Sequence, residues 1–205
     1  MELPVWETQR CVDCYLGSEC KSGSIQLRLW STTYKTYHGT CGQLIRSRTR
    51  PRRDLPNPLS VGIVAITSDR KLVLGLRPSW VQGYPRYIDI PAGYVDLKSD
   101  WTGNKPDPFK SVRRELQEEL VISKGAISRL VCIGMLENVP YHSTMLIFSG
   151  RIDTASNKLR NREEFDQLIL VSARKGNIMR LVDEWGRRLS PTCTQSLLLW
   201  LASQG

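Results

Sequence analysis

No stretch of this chain is apolar for long enough to cross a bilayer. The longest run near the C-terminus, Leu197 to Ala202, falls far short of the roughly 20 residues a membrane helix needs, so no membrane partner is expected. Met1 to Arg10 has no apolar core of the kind a secretory leader carries, and it holds Glu2 and Glu7; export is not expected either. Without an oxidising compartment, the six cysteines read as reduced thiols rather than as a disulfide framework, and the cytoplasm is the expected location. No internal repeat is visible. Composition shows no extreme: 40% apolar and 24% charged is ordinary globular usage, which excludes the disordered and fibrous classes.

What is present is enough for a compact domain. A chain of 205 residues is above the size of roughly 150 at which about two-thirds of the unfolded surface is hidden on folding. Lys and Arg outnumber Asp and Glu by 29 to 20, a net charge of +9, which suits nucleic acid, an anionic surface or a small phosphorylated substrate. The charge is densest at Arg46, Arg48, Arg50, Arg52 and Arg53, a segment broken by Pro51 and followed by Pro56 and Pro58. It reads first as a solvated basic linker and second as a phosphate or RNA contact.

Residues 1–59 hold four of the six cysteines and few periodic stretches, so they read as an irregular or strand-rich N-terminal extension that packs on or completes the substrate pocket, and residues 60–205 as the main domain. From Val61 to Ile66 and from Leu72 to Leu76 two apolar runs flank the turn Ser68-Asp69-Arg70, the pattern of a buried hairpin. Tyr87 to Ile90 reads as a strand ending in the tight turn Pro91-Ala92-Gly93. Asp107-Pro108 starts a helix expected to run to about Val121, because Asp caps free amides and Pro at the first helical position loses no hydrogen bond. Val112, Leu116 and Leu120 form its buried stripe. Leu130 to Leu136, Met145 to Ile152 and Leu168 to Val171 read as strands, and Ser190-Pro191 opens a C-terminal helix through Trp200. Strands and helices in this order give an α/β or α+β fold.

The chemistry is concentrated in Arg114-Glu115-Leu116-Gln117-Glu118-Glu119. The three glutamates stand at i, i+3 and i+4, so their carboxylates gather on one helical surface and repel one another. A hard divalent cation such as Mg²⁺ relieves that repulsion and bridges carboxylates to phosphates; taken alone, the cluster reads as a solvated charged face. Arg114 is placed to pair with Glu118.

Together with Pro91-Ala92-Gly93, this segment resembles the signature of the Nudix hydrolase superfamily, G-x5-E-x7-R-E-U-x-E-E-x-G-U, where U is a bulky aliphatic residue. Arg114 to Glu119 matches its catalytic half in full, and Ile122 fills the last aliphatic position. Three features depart from it. Gly93 is seven residues too far from Arg114, which places an insertion in Leu97 to Pro106. The first glutamate has no counterpart, its place falling on Pro106 with Asp96, Asp100 and Asp107 nearby. The late glycine is Val121.

The resemblance implies an α/β/α sandwich and Mg²⁺-dependent hydrolysis of a diphosphate, with Mn²⁺ as a substitute ion. It implies that Glu115 and Glu119 bind metal with the Ala92 carbonyl, while Glu118 holds a further ion or orients water. A later acidic residue completes such sites in many members, and Glu164 is favoured here over Glu163 and Glu137. Further pieces, Thr33 to Thr40, Asn57 to Gly62 and Ile88 to Gly93, resemble the branch of the family that acts on UDP-glucose and UDP-galactose. Arg77, Gly93 and Asn138 are the expected substrate contacts, with the insert as a lid. ADP-ribose, NADH or an RNA end is the alternative substrate, and a catalytically weak nucleotide sensor the alternative class; a small nucleoside-diphosphate compound is favoured over nucleic acid as partner, and the oligomeric state is left open.

Secondary features carry less. Cys11-x2-Cys14, Cys20 and His38-x2-Cys41 are too irregularly spaced for a structural zinc, so none is expected. His142 reads as a surface histidine. Trp80, Tyr84, Tyr87 and Trp101 read equally as base-stacking or as packing residues.

Overall fold

The computed structural model describes residues 10–16, 27–47, 55–81, 83–123, 125–162 and 164–204, with the side chains of 10–16 and 41–47 outside that set. Cys20, Glu163 and the arginine run from Arg48 lie outside the described residues, as do the side chains of Cys11, Cys14, Cys41 and Arg46. In chain order the elements are β1 (Arg10–Leu16), β2 (Leu27–Thr33), α1 (Tyr34–Ser47), β3 (Leu59–Thr67), β4 (Lys71–Leu76), β5 (Ile88–Asp89), β6 (Ala92–Tyr94), β7 (Trp101–Thr102), β8 (Lys105–Pro106), α2 (Pro108–Glu119), β9 (Ile127–Asn138), β10 (Ser143–Ile152), β11 (Gln167–Ser172), α3 (Lys175–Trp185) and α4 (Pro191–Ala202). This is the α+β class expected from the sequence. Two compact units divide the chain: one within Met1–Ser60, Tyr94–Ser111 and Glu137–Met145, the other formed by Val61–Gly93, Val112–Leu136 and Leu146–Gly205.

In the first unit β1 and β2 pair as an antiparallel ribbon. Helix α1 follows, where the sequence reading expected irregular or extended chain. The glycines and the β-branched and aromatic residues of Tyr34 to Gly42 hid it, because all of them lower helix propensity. What starts it is Thr33, whose Oγ1 accepts from Thr36 N at 3.0 Å, a helix cap. Tyr34 stacks on His38 and meets Tyr37 and Tyr94 at a tilt, Tyr37 meets Tyr94 edge-on, and Tyr37 donates its hydroxyl to Tyr141 O at 2.6 Å. His142, expected at the surface, is buried; it follows the 3₁₀ turn Val139–Tyr141 with a left-handed backbone, φ 47°.

The insert forms the β7–β8 hairpin, turning at Gly103 with φ +62°, a conformation glycine adopts without a Cβ penalty. Its acidic residues are engaged locally. Asp96 Oδ1 accepts from Lys98 N and Ser99 N, Asp100 Oδ2 accepts from Asp96 N, and Asp107 Oδ1 accepts from Phe109 N and Lys110 N at the start of α2.

The second unit carries most of a seven-stranded sheet of order β11-β4-β3-β10-β9, to which β5 adds beside β4 and β6 beside β3. Strands β3 and β4 are apolar along nearly their whole length and buried, the signature of strands covered on both faces. Helix α2 stops two residues before the expected Val121, and its stripe Val112, Leu116 and Leu120 is at most 1% exposed. Each such leucine stabilises the fold by about 1.5–3 kcal/mol. Ser190 caps α4 by accepting from Cys193 N. Helix α3, unforeseen, has Arg174 at its N-cap with no side-chain cap and buries only Ile178 and Leu181, too short a stripe to be read from periodicity.

The β3–β4 turn is held by Asp69. Ser156 Oγ, Thr67 Oγ1 and Ser156 N all donate to its carboxylate, at 2.6, 2.7 and 2.8 Å, and these bonds hold its pKa far below the ordinary carboxylate range. A carboxyl with a depressed folded pKa contributes stability that is present above its unfolded value, about 3.9, and is lost as pH falls toward the folded value. The urea midpoint of the chain should therefore exceed that of Asp69→Asn by a constant margin above about pH 5, and the margin should shrink steadily below about pH 4. A margin independent of pH down to the acid limit contradicts this role for Asp69.

Candidate active site

The site is built where the strand-end turn meets the C-terminal half of α2, inside the second unit. Ile63 N donates to Pro91 O at 3.0 Å, fixing the turn on β3, and the next amide, Ala92 N, donates to Glu119 Oε1 at 3.2 Å. Glu119 is only 5% exposed, and its Oε2 has no hydrogen-bond partner among the described residues. Burial raises its pKa well above the usual carboxylate value, and the nearby charges of Glu115, Glu164 and Asp89 push the same way against the Ala92 amide. An ionisable group in this state is an acceptor waiting for a proton or a cation.

Glu115 sits against the next residue of the turn. A Cβ on Gly93 would stand 2.0 Å from Glu115 Cδ, so the carboxylate takes the space that any other residue at 93 would need. Arg114 holds both outer carboxylates: its Nη2 lies 2.8 Å from Glu115 Oε1 and its Nη1 donates to Glu118 Oε2 at 2.6 Å. Glu118 is exposed, so its pair with Arg114 adds at most about 1 kcal/mol to stability, and its effect is to fix geometry. Among the described residues no three His, Cys, Asp or Glu side chains converge into a ready metal cage. The guanidinium supplies beside Glu115 and Glu118 the positive charge that a cation would bring, while Glu119 keeps an orphaned oxygen. These hard oxygen donors fit Mg²⁺ or Mn²⁺.

A second element brings Glu164. The chain from 160 to 166 is sewn to the end of α2: Val121 N donates to Arg160 O, Arg162 N to Glu119 O, and Leu120 bridges Asn161. Asn161 Nδ2 in turn donates to Phe165 O, and the Phe165 ring fills the space beside Gly75, where a Cβ would meet it at 2.1 Å. Glu164 lies between these anchors. Its carboxyl, on an otherwise exposed residue, is partly withdrawn from water; that and the charge of Glu118 raise its pKa, with Arg77 opposing. Arg77 donates through Nε to Gly83 O at 2.9 Å and lies 3.7 Å from Asp89 Oδ2. Asp89 is buried, and desolvation raises its pKa against the Arg77 charge and hydrogen bonds from Ser190 and Ile90 N.

No known family model matches the chain, and no curated protein matches it. Solved structures do. The NUDIX domain of Shewanella oneidensis NrtR, cocrystallised with ADP ribose, aligns with a TM-score of 0.53 at 13% identity, over 80% of this chain and 96% of that one. The bifunctional NMN adenylyltransferase/ADP ribose pyrophosphatase of Francisella tularensis aligns at 0.55 and 15% identity over 82% of this chain, which spans about half, 47%, of that protein. A NUDIX hydrolase from Nitrosomonas europaea aligns at 0.51 and 16% identity, over 72% and 90%. This chain has the Nudix fold.

Within that Nudix fold, Ala92, Gly93, Glu115, Glu119 and Arg114 are gathered at one turn, with Glu118, Glu164 and Arg77 linked to them by contact or by charge. Asn138 belongs to the first unit, at the end of β9. Sequence reasoning missed Asp89, although a lone carboxylate within Ile88-Asp89-Ile90 was a usable signal, since Asp is almost never buried without a partner. Asn161, Phe165 and Gly75 left no signal, because their pairing joins residues far apart in sequence.

The Gly93 contact can be tested. Gly93 has ordinary backbone angles, since it is not among the positive-φ glycines, and the atoms a methyl would meet are the end of a flexible side chain. Gly93→Ala should therefore fold with a cost of about 1 kcal/mol while displacing the Glu115 carboxylate. Thermal unfolding with and without Mn²⁺ checks it: the variant should lose most of the Mn²⁺-induced rise in Tm, and an undiminished rise would show that the contact does not shape the cation site.

Proposed function

We propose that this chain is a Mg²⁺- or Mn²⁺-dependent pyrophosphatase that hydrolyses the diphosphate of a nucleoside diphosphate linked to a second group. The observation that carries the reading is the buried, half-satisfied carboxylate of Glu119 beside Glu115 and the Ala92-Gly93 turn, in a Nudix fold.

The residues that would hold the cation are Glu115, Glu119 and the Ala92 carbonyl, with Glu118 and Glu164 available for a further ion. Once bound, the cation offsets the charge of the diphosphate and polarises its phosphoryl oxygens. Arg114 keeps Glu115 and Glu118 in place, and Arg77, tied by Gly83 and Asp89, offers guanidinium donors to a phosphoryl oxygen. In hydrolysis the water oxygen bonds to phosphorus as the bridging P–O bond breaks. The bond pair leaves with the departing phosphate, and the water proton passes to a carboxylate of the cluster.

For the substrate, the pieces Thr33 to Thr40, Asn57 to Gly62 and Ile88 to Gly93 support a UDP-sugar, cut to UMP and sugar 1-phosphate. The ADP ribose bound to the NrtR domain supports ADP-ribose as the second reading.

Two measurements test this. Glu119→Gln keeps the volume and an acceptor for the Ala92 amide but removes the charge; the variant should fold normally and lose at least about a hundredfold in kcat/KM with Mg²⁺, because even outer-shell changes at metal sites cost ten- to a hundredfold. Wild-type turnover in that variant at limiting Mg²⁺ would remove Glu119 from the site. A panel of UDP-glucose, UDP-galactose, ADP-ribose, NADH and capped RNA then ranks substrates. If ADP-ribose exceeds the UDP-sugars by tenfold or more, about 1.4 kcal/mol, the UDP-sugar reading fails and the pyrophosphatase reading stands.

A further inference from the structure

Asp89 is a buried carboxylate to which the proposed chemistry gives no direct part. It stands on β5 opposite Gly75 of β4, with Ile88 opposite Leu76, and Arg77 N donates to Tyr87 O at 2.8 Å, which carries the ladder one residue further. Side chains alternate along a strand, so Gly75, Arg77 and Asp89 share one face of the sheet. The long Arg77 side chain reaches diagonally across to Asp89. On the same face, the Phe165 ring takes the place that a side chain at residue 75 would fill.

Asp89 is also fixed from its other side. Ile88 N donates to Arg188 O and Ser190 N to Ile88 O, strapping β5 to the start of α4. The single hydroxyl hydrogen of Ser190 goes to the Asp89 carboxylate, so the Ser190 oxygen accepts from Cys193 N and from the Thr192 hydroxyl, both at 2.9 Å. Ile90 N donates to Asp89 Oδ1 at 3.0 Å. Arg77 is held more lightly and its side chain is 25% exposed. Its Nε donates to Gly83 O, its Nη1 stands 3.7 Å from Asp89 Oδ2, an ion pair beyond hydrogen-bond length, and among the described residues neither Nη group donates to a protein acceptor. Two uncommitted Nη groups make the fork that binds a phosphate through two oxygens. The Arg77 charge acts on Glu164 and the Asp89 charge on Glu119, so the pair borders the proposed cation site. Stability alone gives little reason to keep it, because a buried ion pair is often no better than apolar residues of the same volume.

We propose that Asp89 is a positioning residue: held by Ser190 and the Ile90 amide, its buried charge fixes the Arg77 guanidinium so that both Nη groups stay free to bind the diphosphate of the substrate. Asp89 itself meets neither the diphosphate nor the cation. The inference rests on the proposed reading of the site and deepens it by naming what aims the arginine. Without the Asp89 charge, Arg77 keeps only its Nε bond to Gly83 O and is drawn toward Glu164, whose carboxyl it already influences.

The test is a mutant cycle read by titration calorimetry of the full chain with imidodiphosphate, a diphosphate analogue that resists hydrolysis, in the presence of Mg²⁺; thermal unfolding checks that each variant folds. Asp89→Asn should bind about tenfold more weakly than the wild type, the loss expected when one hydrogen bond to a charged group goes. Arg77→Ala should lose at least as much. Adding Asp89→Asn to Arg77→Ala should change the affinity no further, because a residue that acts only through Arg77 has nothing left to act on. If Asp89→Asn does not fold, Ser190→Ala carries the same test: it keeps the carboxylate, removes the hydroxyl behind it, and should weaken binding only while Arg77 is present. Wild-type affinity in the folded single variant, or a further loss when it joins Arg77→Ala, overturns the proposal; a general loosening of the fold would give that additive loss. Hydrolysis of the UDP- and ADP-linked compounds is scored separately. A wild-type chain that shows the binding pattern but cuts none of them supports the positioning role and overturns the pyrophosphatase reading alone.

Discussion

Everything in the candidate site depends on one carboxylate that has been taken out of water and only half compensated. Glu119 gives one oxygen to the Ala92 amide and leaves the other without a partner among the described residues. Burying an ionised carboxylate costs several kcal/mol even after the protein relaxes, and the nearby negative charges of Glu115, Glu164 and Asp89 add to the cost. A fold that keeps such a group has a use for it. The hard oxygens around it make a divalent cation the natural partner, since a cation removes both the desolvation and the repulsion at once.

The neighbouring features follow from placing that carboxylate. The Pro91-Ala92-Gly93 turn must lie close to α2 for the amide to reach Glu119, and residue 93 must lack a Cβ because Glu115 occupies its space. The stripe Val112, Leu116 and Leu120 docks α2 so that Glu115 and Glu119, one turn apart, both face the turn. Arg114 restrains the carboxylates of Glu115 and Glu118. Loop 160–166 is held to the end of the same helix by its own backbone bonds and by Phe165 against Gly75, and it carries Glu164 toward Glu118. Each of these costs some freedom of sequence, and together they fix five side chains relative to one turn.

What was legible in the sequence was local. Asp107-Pro108 and the four-residue spacing of Val112, Leu116 and Leu120 marked α2, and the run Arg114 to Glu119 marked the charged surface, because helical periodicity converts spacing directly into adjacency. The hairpin of β3 and β4 was legible for the same reason. Helix α1 was hidden by Gly39, Gly42 and a row of β-branched and aromatic residues, and α3 by its two-residue apolar stripe. Within the site, the Gly93–Glu115 contact, the burial of Asp89 and the Phe165–Gly75 packing were not legible. They join residues that only the tertiary fold brings together, and no periodicity records such a meeting.

The central claim, that Glu119 is held buried and half-satisfied to receive a divalent cation, is tested most directly by diffraction from crystals soaked in Mn²⁺, using the anomalous signal of manganese. The account predicts an anomalous peak bonded to Glu119 Oε2, absent in Glu119→Gln crystals soaked alike. Manganese bound only elsewhere, with Glu119 Oε2 satisfied by a protein donor or by water, would contradict it.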